Sequence, residues 1–387
     1  MTEEIVYQDR RNTNCEKWDG LLDKFGREEM LPLWVADMDF QVPQCVRKAL
    51  EEYVKKGVFG YYKVPESFYE AFIRWEETRH NYHVEKEWIR FAPGVVPALF
   101  WLVQCFTEEK DGVMISTPAY PPFFHCIEDN GRKVVDIPLK CTEHTYEMDY
   151  DAIEKKMQEE QVKMYILCSP HNPVGRVWKE EELRKLIALC EKYHVLLIAD
   201  EIHQDIIIGE NRQIPVGSLG QYANNIISLT AASKTFNLAD CQNAFILIPD
   251  EKLREKFDDF AGKIHVTQGS GFGYIAVQNA YEGGSDWLNG VLSIIEENYA
   301  YAKDFITREL PEATVFELQG TYLMWINLKP YLQDKDVVQT LQEKCHIAID
   351  YGDWFGGEEW KYYIRVNLAT KPENIVQAME NLKRGLE

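Results

Sequence analysis

The sequence predicts an α/β protein in which a mostly parallel sheet lies between helix layers, joined to a smaller α+β domain. Three observations carry this. Short apolar runs alternate with amphipathic stretches through the middle of the chain. The runs are continuously apolar rather than alternating, as expected of strands covered on both faces. After about residue 285 the texture changes to a long helical stretch and then isolated strand-like segments.

The first 45 residues mix Trp18, Phe25, Trp34 and Phe40 with charges and read as an arm packed on another part of the chain. From Pro43 the pattern is helical: Val46, Leu50, Tyr53 and Val54 share a face, with Pro43 suited to a first turn and Gly57 to a stop. A second helix comes after Pro65, with Phe68, Phe72 and Trp75 at helical spacing. The sheet runs are Val113-Met-Ile-Ser, Val134-Val-Asp-Ile, Lys163-Met-Tyr-Ile-Leu-Cys, Val195-Leu-Leu-Ile-Ala, Ile226-Ile-Ser-Leu-Thr and Ala244-Phe-Ile-Leu-Ile. Between two of them, Glu180 to Tyr193 carries Leu183, Leu186, Ile187 and Cys190 on one helical face. A long helix over Trp287 to Leu310 then leads to strands at Thr321 to Leu328 and Tyr362 to Leu368. The expected division is an N-terminal arm with part of the small domain at 1–45, a large domain at 46–284 and a small C-terminal domain at 285–387. With no repeat and no Pro/Gly/Ser linker, these parts are expected to dock closely.

Composition narrows the function. Of 387 residues, 45% are hydrophobic and 27% charged, the balance of a folded protein. Asp and Glu outnumber Lys and Arg by 63 to 42, and a net charge of −21 disfavours nucleic-acid binding. No window approaches the ~20 uncharged apolar residues that span a bilayer. The start, from Met1, shows neither a basic nor an apolar leader segment, so no export is expected. Nine cysteines scattered singly, without a C-x-x-C pair, read as reduced thiols in a cytoplasm.

The polar residues are informative by position. Thr117-Pro-Ala-Tyr120, Ser169-Pro-His-Asn172, Asp200-Glu-Ile-His203 and Ser233-Lys234 each come directly after an apolar run. Ligands of open α/β sheets bind beyond the carboxyl ends of the strands, so the four clusters are candidates for one site. Taken alone, Asp200 reads as a helix cap or ion pair, Lys234 as a surface lysine and Arg365 as part of a solvated strand face. Functionally, a carboxylate at a buried strand tip needs a cation or donors. A desolvated lysine becomes a carbonyl nucleophile, and an arginine fork suits a carboxylate. Gly94-Val95-Val96 opens an apolar helix whose free amides suit a phosphate. Alternation along a strand would put His203 and Asp205 on one face, but with Asp200 they make a weak metal set. Gly269-Ser-Gly-Phe-Gly lacks the strand and spacing of a dinucleotide site. Together these residues supply an amine, a buried anion, a stacking aromatic, a phosphate seat and a carboxylate clamp, an inventory that fits pyridoxal 5′-phosphate acting on an amino acid.

The chain resembles the fold-type I pyridoxal-phosphate enzymes of the aspartate aminotransferase superfamily, and more closely their MalY/PatB cystathionine β-lyase branch. The matching stretches include Pro32-Leu-Trp-Val-Ala-Asp37-Met-Asp39-Phe, Gly57-Val-Phe-Gly60-Tyr61, Pro93-Gly-Val-Val-Pro-Ala, Pro170-His-Asn172-Pro-Val-Gly, Asp200-Glu-Ile-His203 and Ala232-Ser-Lys234-Thr-Phe-Asn-Leu-Ala. The resemblance implies that Lys234 holds the cofactor covalently and is catalytic. It implies that Asp200 pairs with the ring nitrogen, Asn172 and His203 lie near O3′, and Tyr120 stacks on the ring. The Val95 and Val96 amides with the Ser233 hydroxyl would hold the phosphate, Tyr61 would reach the phosphate of a neighbouring subunit in a homodimer, and Arg365 would take the substrate carboxylate. Three positions depart from the family: Asp240 replaces a usual glycine, Gln242 stands where aspartate aminotransferases have a phosphate-binding arginine that the lyase branch also lacks, and Glu358-Glu-Trp-Lys-Tyr-Tyr replaces a glycine-rich stretch. The implied activity is carbon–sulfur β-elimination from cystathionine or a related cysteine S-conjugate, with a class I/II aminotransferase as the alternative. A scaffold kept only for binding would need none of Lys234, Asp200, Asn172 and Arg365.

Overall fold

The structure is a computed structural model that describes residues 3–219 and 223–387, so Met1 and Thr2 of the opening stretch lie outside it. Its centre is a seven-stranded sheet of β1 (Ile89–Ala92), β2 (Gly112–Ile115), β3 (Lys133–Asp136), β4 (Val162–Cys168), β5 (Leu196–Asp200), β6 (Ile226–Thr230) and β7 (Ala244–Leu247). The spatial order is β1-β7-β6-β5-β4-β2-β3. Neighbours from β6 to β3 are parallel, while β7 runs antiparallel to both β6 and β1.

Continuous hydrophobicity has a direct cause here. Side chains alternate across a strand, and both faces of the sheet are covered. Met164, Ile166 and Cys168 of β4 enter one core with Leu99 and Leu102 of the helix Val95–Phe106. Tyr165 and Leu167 enter the other with Leu183, Leu186 and Ile187 of the helix Glu180–Lys192. By the same parity Asp200 joins Ile198 on the face covered by the Val95 helix, and it lies in register with Cys168.

A second sheet holds β8 (Thr314–Val315), β9 (Leu323–Asn327), β10 (Asp350–Tyr351) and β11 (Tyr363–Asn367), all antiparallel in the order β8-β9-β11-β10. Two long helices, Ser285–Glu309 and Pro372–Leu386, pack beside it. The arm returns to this part of the molecule: Leu31 and Pro32 pair with Ile347 and Ala348. Among the described residues no helix is long and apolar enough to cross a membrane.

Three local readings are corrected. The edge strand Ile89–Ala92 is not expected from the sequence, because four residues with an arginine among them give no distinct periodicity. Residues 202–205 form turns, so His203 and Asp205 do not share a strand face; β5 stops at Asp200. On the helix Gln44–Lys55, Val46 is buried but Val54 is 52% exposed, so the apolar face extends beyond the part that the monomer covers.

Candidate active site

The carboxyl end of the large sheet is where the polar loops meet. A cavity of ≈ 180 Å³ is lined by Lys234, Asp200, Asn172, His203, Tyr120, Ser233, Val95 and Val96, together with Ala36 from the arm. Strands placed side by side bring these loops together, although Val95 and Lys234 belong to elements far apart in the chain. Each of the segments bearing Tyr120, Asn172, His203 and Lys234 leaves a strand end, so the register of the sheet decides which side chains meet.

Lys234 sits in the short helix Ala232–Thr235 just after β6, and its Nζ donates to the carbonyl oxygen of Ala36 at 2.6 Å. Desolvation lowers its pKa from 10.5 to about 8; Arg365 adds to the fall, while Asp37 and Asp200 oppose it. A larger share of this amine is therefore neutral near pH 8 than for a surface lysine. Asp200 is 3% exposed and accepts from the Ile202 amide at 3.2 Å. Burial pushes its carboxyl up to about 7, against the Ile202 amide and the Lys234 charge, which favour ionisation.

His203 is buried, its Nδ1 has no hydrogen-bond partner among the described residues, and its ring meets Tyr322 edge-on at 6.0 Å. Burial, then Lys234 and Arg365, hold its pKa well below 6.5, so the ring is neutral. Tyr120 precedes the helix Pro121–Glu128, and burial raises its phenol above 10.0. Val95 and Val96 open the helix Val95–Phe106, where the first amides have no intrahelical acceptor.

Arg365 is 5% exposed at the centre of β11, opposite Trp325 and Asp350, so it is not on a solvated face. Its guanidinium donates to Asn172 Oδ1 at 2.8 Å and to the Trp34 carbonyl at 3.3 Å, and pairs with the Asp350 carboxylate. The Phe355 ring lies 4.9 Å away, and Nε has no partner among the described residues. The fork is thus tied to the cavity wall through Asn172.

Tyr61 is fully exposed on a loop and lies outside this cavity. The metal set is dispersed: Asp205 accepts from Trp75 Nε1 at 3.0 Å and from the Thr235 hydroxyl at 2.7 Å, and lies 2.8 Å from His80 Nε2, so its carboxylate is engaged away from Asp200. Sequence reasoning missed Ala36, Tyr322, Asp350 and Asn243. Tyr322 donates to the same Ala36 carbonyl at 2.7 Å. Asp350 could have been found only by knowing that β10 pairs with β11, since its own segment has no distinctive pattern.

The arrangement suits a phosphorylated pyridine aldehyde. It offers an amine of lowered pKa, a buried carboxyl, a neutral imidazole with an unpartnered nitrogen, and helix amides at one end. Comparison with known proteins agrees. The family described as aminotransferase class I and II matches residues 28–382. The chain is 35% identical to cystathionine β-lyase PatB of Bacillus subtilis over 98% of both proteins, and 32% identical to protein MalY of Escherichia coli over 97% of this chain and 96% of MalY. Among solved structures, cystalysin from Treponema denticola, containing pyridoxal 5′-phosphate, superposes with a TM-score of 0.95 at 33% identity, covering 100% of this chain and 99% of that one. The PLP-bound C-S lyase from Staphylococcus hominis gives 0.93 at 32% identity, covering 99% and 97%. A buried amine and a strand-end carboxyl in one crevice, with a guanidinium tethered to its wall through Asn172, on a fold shared end to end with these relatives, place this chain in the aminotransferase class I and II family, within its MalY/PatB branch.

Proposed function

We propose that the protein is a pyridoxal-phosphate-dependent carbon–sulfur β-lyase that cleaves L-cystathionine or a related cysteine S-conjugate to pyruvate, ammonia and a thiol. The observation that carries this is Lys234, a desolvated amine, facing the same cavity as Asp200 and as Asn172, to which Arg365 is hydrogen-bonded. The likeness to PatB and the C-S lyase supports elimination over transamination.

When bound, pyridoxal 5′-phosphate supplies an aldehyde for amines and a conjugated ring that accepts the electron pair left at Cα. Lys234 would hold it, the Val95 and Val96 amides with the Ser233 hydroxyl would take its phosphate, and Asn172 and His203 would flank O3′. Tyr120 would cover the ring face. Asp200 Oδ would keep a proton on the ring nitrogen, a position that the Ile202 amide helps fix. Arg365 would clamp the substrate α-carboxylate, orienting the Cα–H bond toward Lys234. The freed Lys234 Nζ would then remove the Cα proton as general base, a role matched by its pKa of about 8. The arm residue Ala36, whose carbonyl receives both Lys234 and Tyr322, forms part of the cavity wall.

A homodimer in which Tyr61 of each copy reaches the other's phosphate is part of the same proposal. Val58, Phe59, Tyr61 and Phe272 are all exposed, and the Phe59 and Phe272 rings lie 5.3 Å apart, an apolar patch beside Tyr61 that a second copy would cover. Residues 46–284 would form the cofactor-binding body, with 285–387 and the arm as the smaller one. A cytoplasmic setting is supported by the nine free thiols.

The deciding experiment is incubation with L-cystathionine alone. Pyruvate and free thiol in equal amounts are expected. Absence of pyruvate, with turnover restored only by an added keto acid, would overturn the lyase in favour of the aminotransferase.

A further inference from the structure

Asn243 is a buried amide with nothing to bind. It is 5% exposed, and neither Nδ2 nor Oδ1 has a hydrogen-bond partner among the described residues. An amide left this way costs more than the hydrogen bond it lacks, so such a group is expected to meet a partner in the working protein. Asn243 lines the cavity that holds Lys234 and Asp200, and also an adjoining one beside Phe68, Phe91 and Tyr274.

Strand register fixes which end of that cavity it occupies. In β7, Ala244 pairs with Ala92 of β1 and Phe245 with Thr230 of β6. Asn243 comes one residue before this ladder, at the end where β1 runs on into Pro93 and β6 leads into the helix Ala232–Thr235. Pro93 and Gly94 lead directly into the free amides of Val95 and Val96, and Ala232 precedes Ser233. Asn243 therefore shares the cavity with Ser233, Val95 and Val96, the groups assigned to the phosphate. Its neighbour Gln242 occupies the aminotransferase arginine position, but Gln242 is exposed, with a left-handed backbone (φ 47°). Among the described residues, no arginine or lysine other than Lys234 lines the cavity. A phosphate dianion there would be held by neutral donors, each making a charge-assisted bond.

We propose that Asn243 is a phosphate ligand of the cofactor, donating from Nδ2 to a phosphate oxygen alongside the Ser233 hydroxyl and the Val95 and Val96 amides. This rests on the pyridoxal-phosphate reading above and adds a donor to it.

The test uses full-length protein stripped of cofactor and titrated, by absorbance, with pyridoxal 5′-phosphate and with pyridoxal, which lacks the phosphate. Asn243→Ala is expected to weaken the phosphorylated form about ten-fold or more, the size of one hydrogen bond to a charged group, and to leave pyridoxal unchanged. Asn243→Asp, which sets a carboxylate against the phosphate, should weaken it further. The melting temperature of cofactor-free Asn243→Ala should match or exceed the wild type, because the variant removes an unpaired buried amide. Equal affinity in Asn243→Ala and wild type, an equal loss for both ligands, or a lowered cofactor-free melting temperature would overturn the proposal by leaving Asn243 idle or purely structural. Wild-type protein that takes up neither ligand would instead overturn the cofactor reading itself, which separates the two failures.

Discussion

Arg365 and Asn172 are joined by a 2.8 Å hydrogen bond from the guanidinium to Oδ1, across 193 residues of chain. One belongs to the antiparallel sheet and the other to a loop of the parallel sheet, so this contact bridges the two sheets at the cavity. On its other side Arg365 pairs with the buried carboxylate of Asp350.

Arg365→Ala should raise KM by about ten- to a hundred-fold, with a smaller change in kcat, because a carboxylate clamp acts in ground and transition states alike. It should also destabilise the fold by about 3–5 kcal/mol, since Asp350 is left as an unpaired buried charge. The double variant Arg365→Ala/Asp350→Asn should recover most of the melting temperature and none of the KM. Recovery of KM in the double variant would place the substrate carboxylate elsewhere.

Lys234→Ala should lower cystathionine turnover by at least about 10³-fold. Protein loaded with cofactor should lose the yellow form that borohydride reduces and fixes to the chain. In the wild type, the rate of cofactor capture should climb through about pH 8, where Lys234 loses its proton, rather than near 10.5. Stopped-flow absorbance across pH 6–10 reads this directly.

Asp200→Ala should still bind cofactor, because its phosphate and aldehyde contacts are untouched, yet lose about 10²–10⁴-fold in kcat. Exchange of the substrate Cα hydrogen with solvent deuterium, read by NMR, should slow in parallel. Normal exchange in this variant would remove Asp200 from the electron-sink role.

Two other buried acids should make stability fall with rising pH. Burial pushes Glu76 to about 7 and Glu201 to about 8, from 4.5 in each case. Between 4.5 and those values the folded state holds protons that the unfolded chain has released. Their stabilisation is therefore full below pH 4.5, declines as pH rises, and is gone above about 8. The melting temperature should drop from about pH 5 to about pH 8 on account of these groups and level off beyond. Glu201→Gln, which can still accept from the Val216 amide now bonded to Glu201 at 2.8 Å, should show a smaller drop. An identical pH profile in that variant would count against the raised Glu201 pKa.

Much of this is legible in the linear chain because strand and helix patterns are local. The apolar runs ending at Cys168, Asp200 and Thr230 appear as strands, and the polar clusters just beyond them line one cavity. The short strand Ile89–Ala92 is not legible, and neither is the turn at 202–205, where an apolar run stops and no periodicity distinguishes a turn from a longer strand.

The amino-acid order determined by itself the type of sheet, the strand-end placement of Asp200 and Lys234, and the chemistry those residue types allow. Burial, register and partnership were decided only by the tertiary structure. Arg365 became a tethered fork because β10 and β9 flank it, and Asn243 entered the cavity because β7 pairs with β1 and β6 just beyond it. Local pattern reports which face a side chain takes, whereas a pKa or an unpaired amide depends on the groups that distant segments bring to that face.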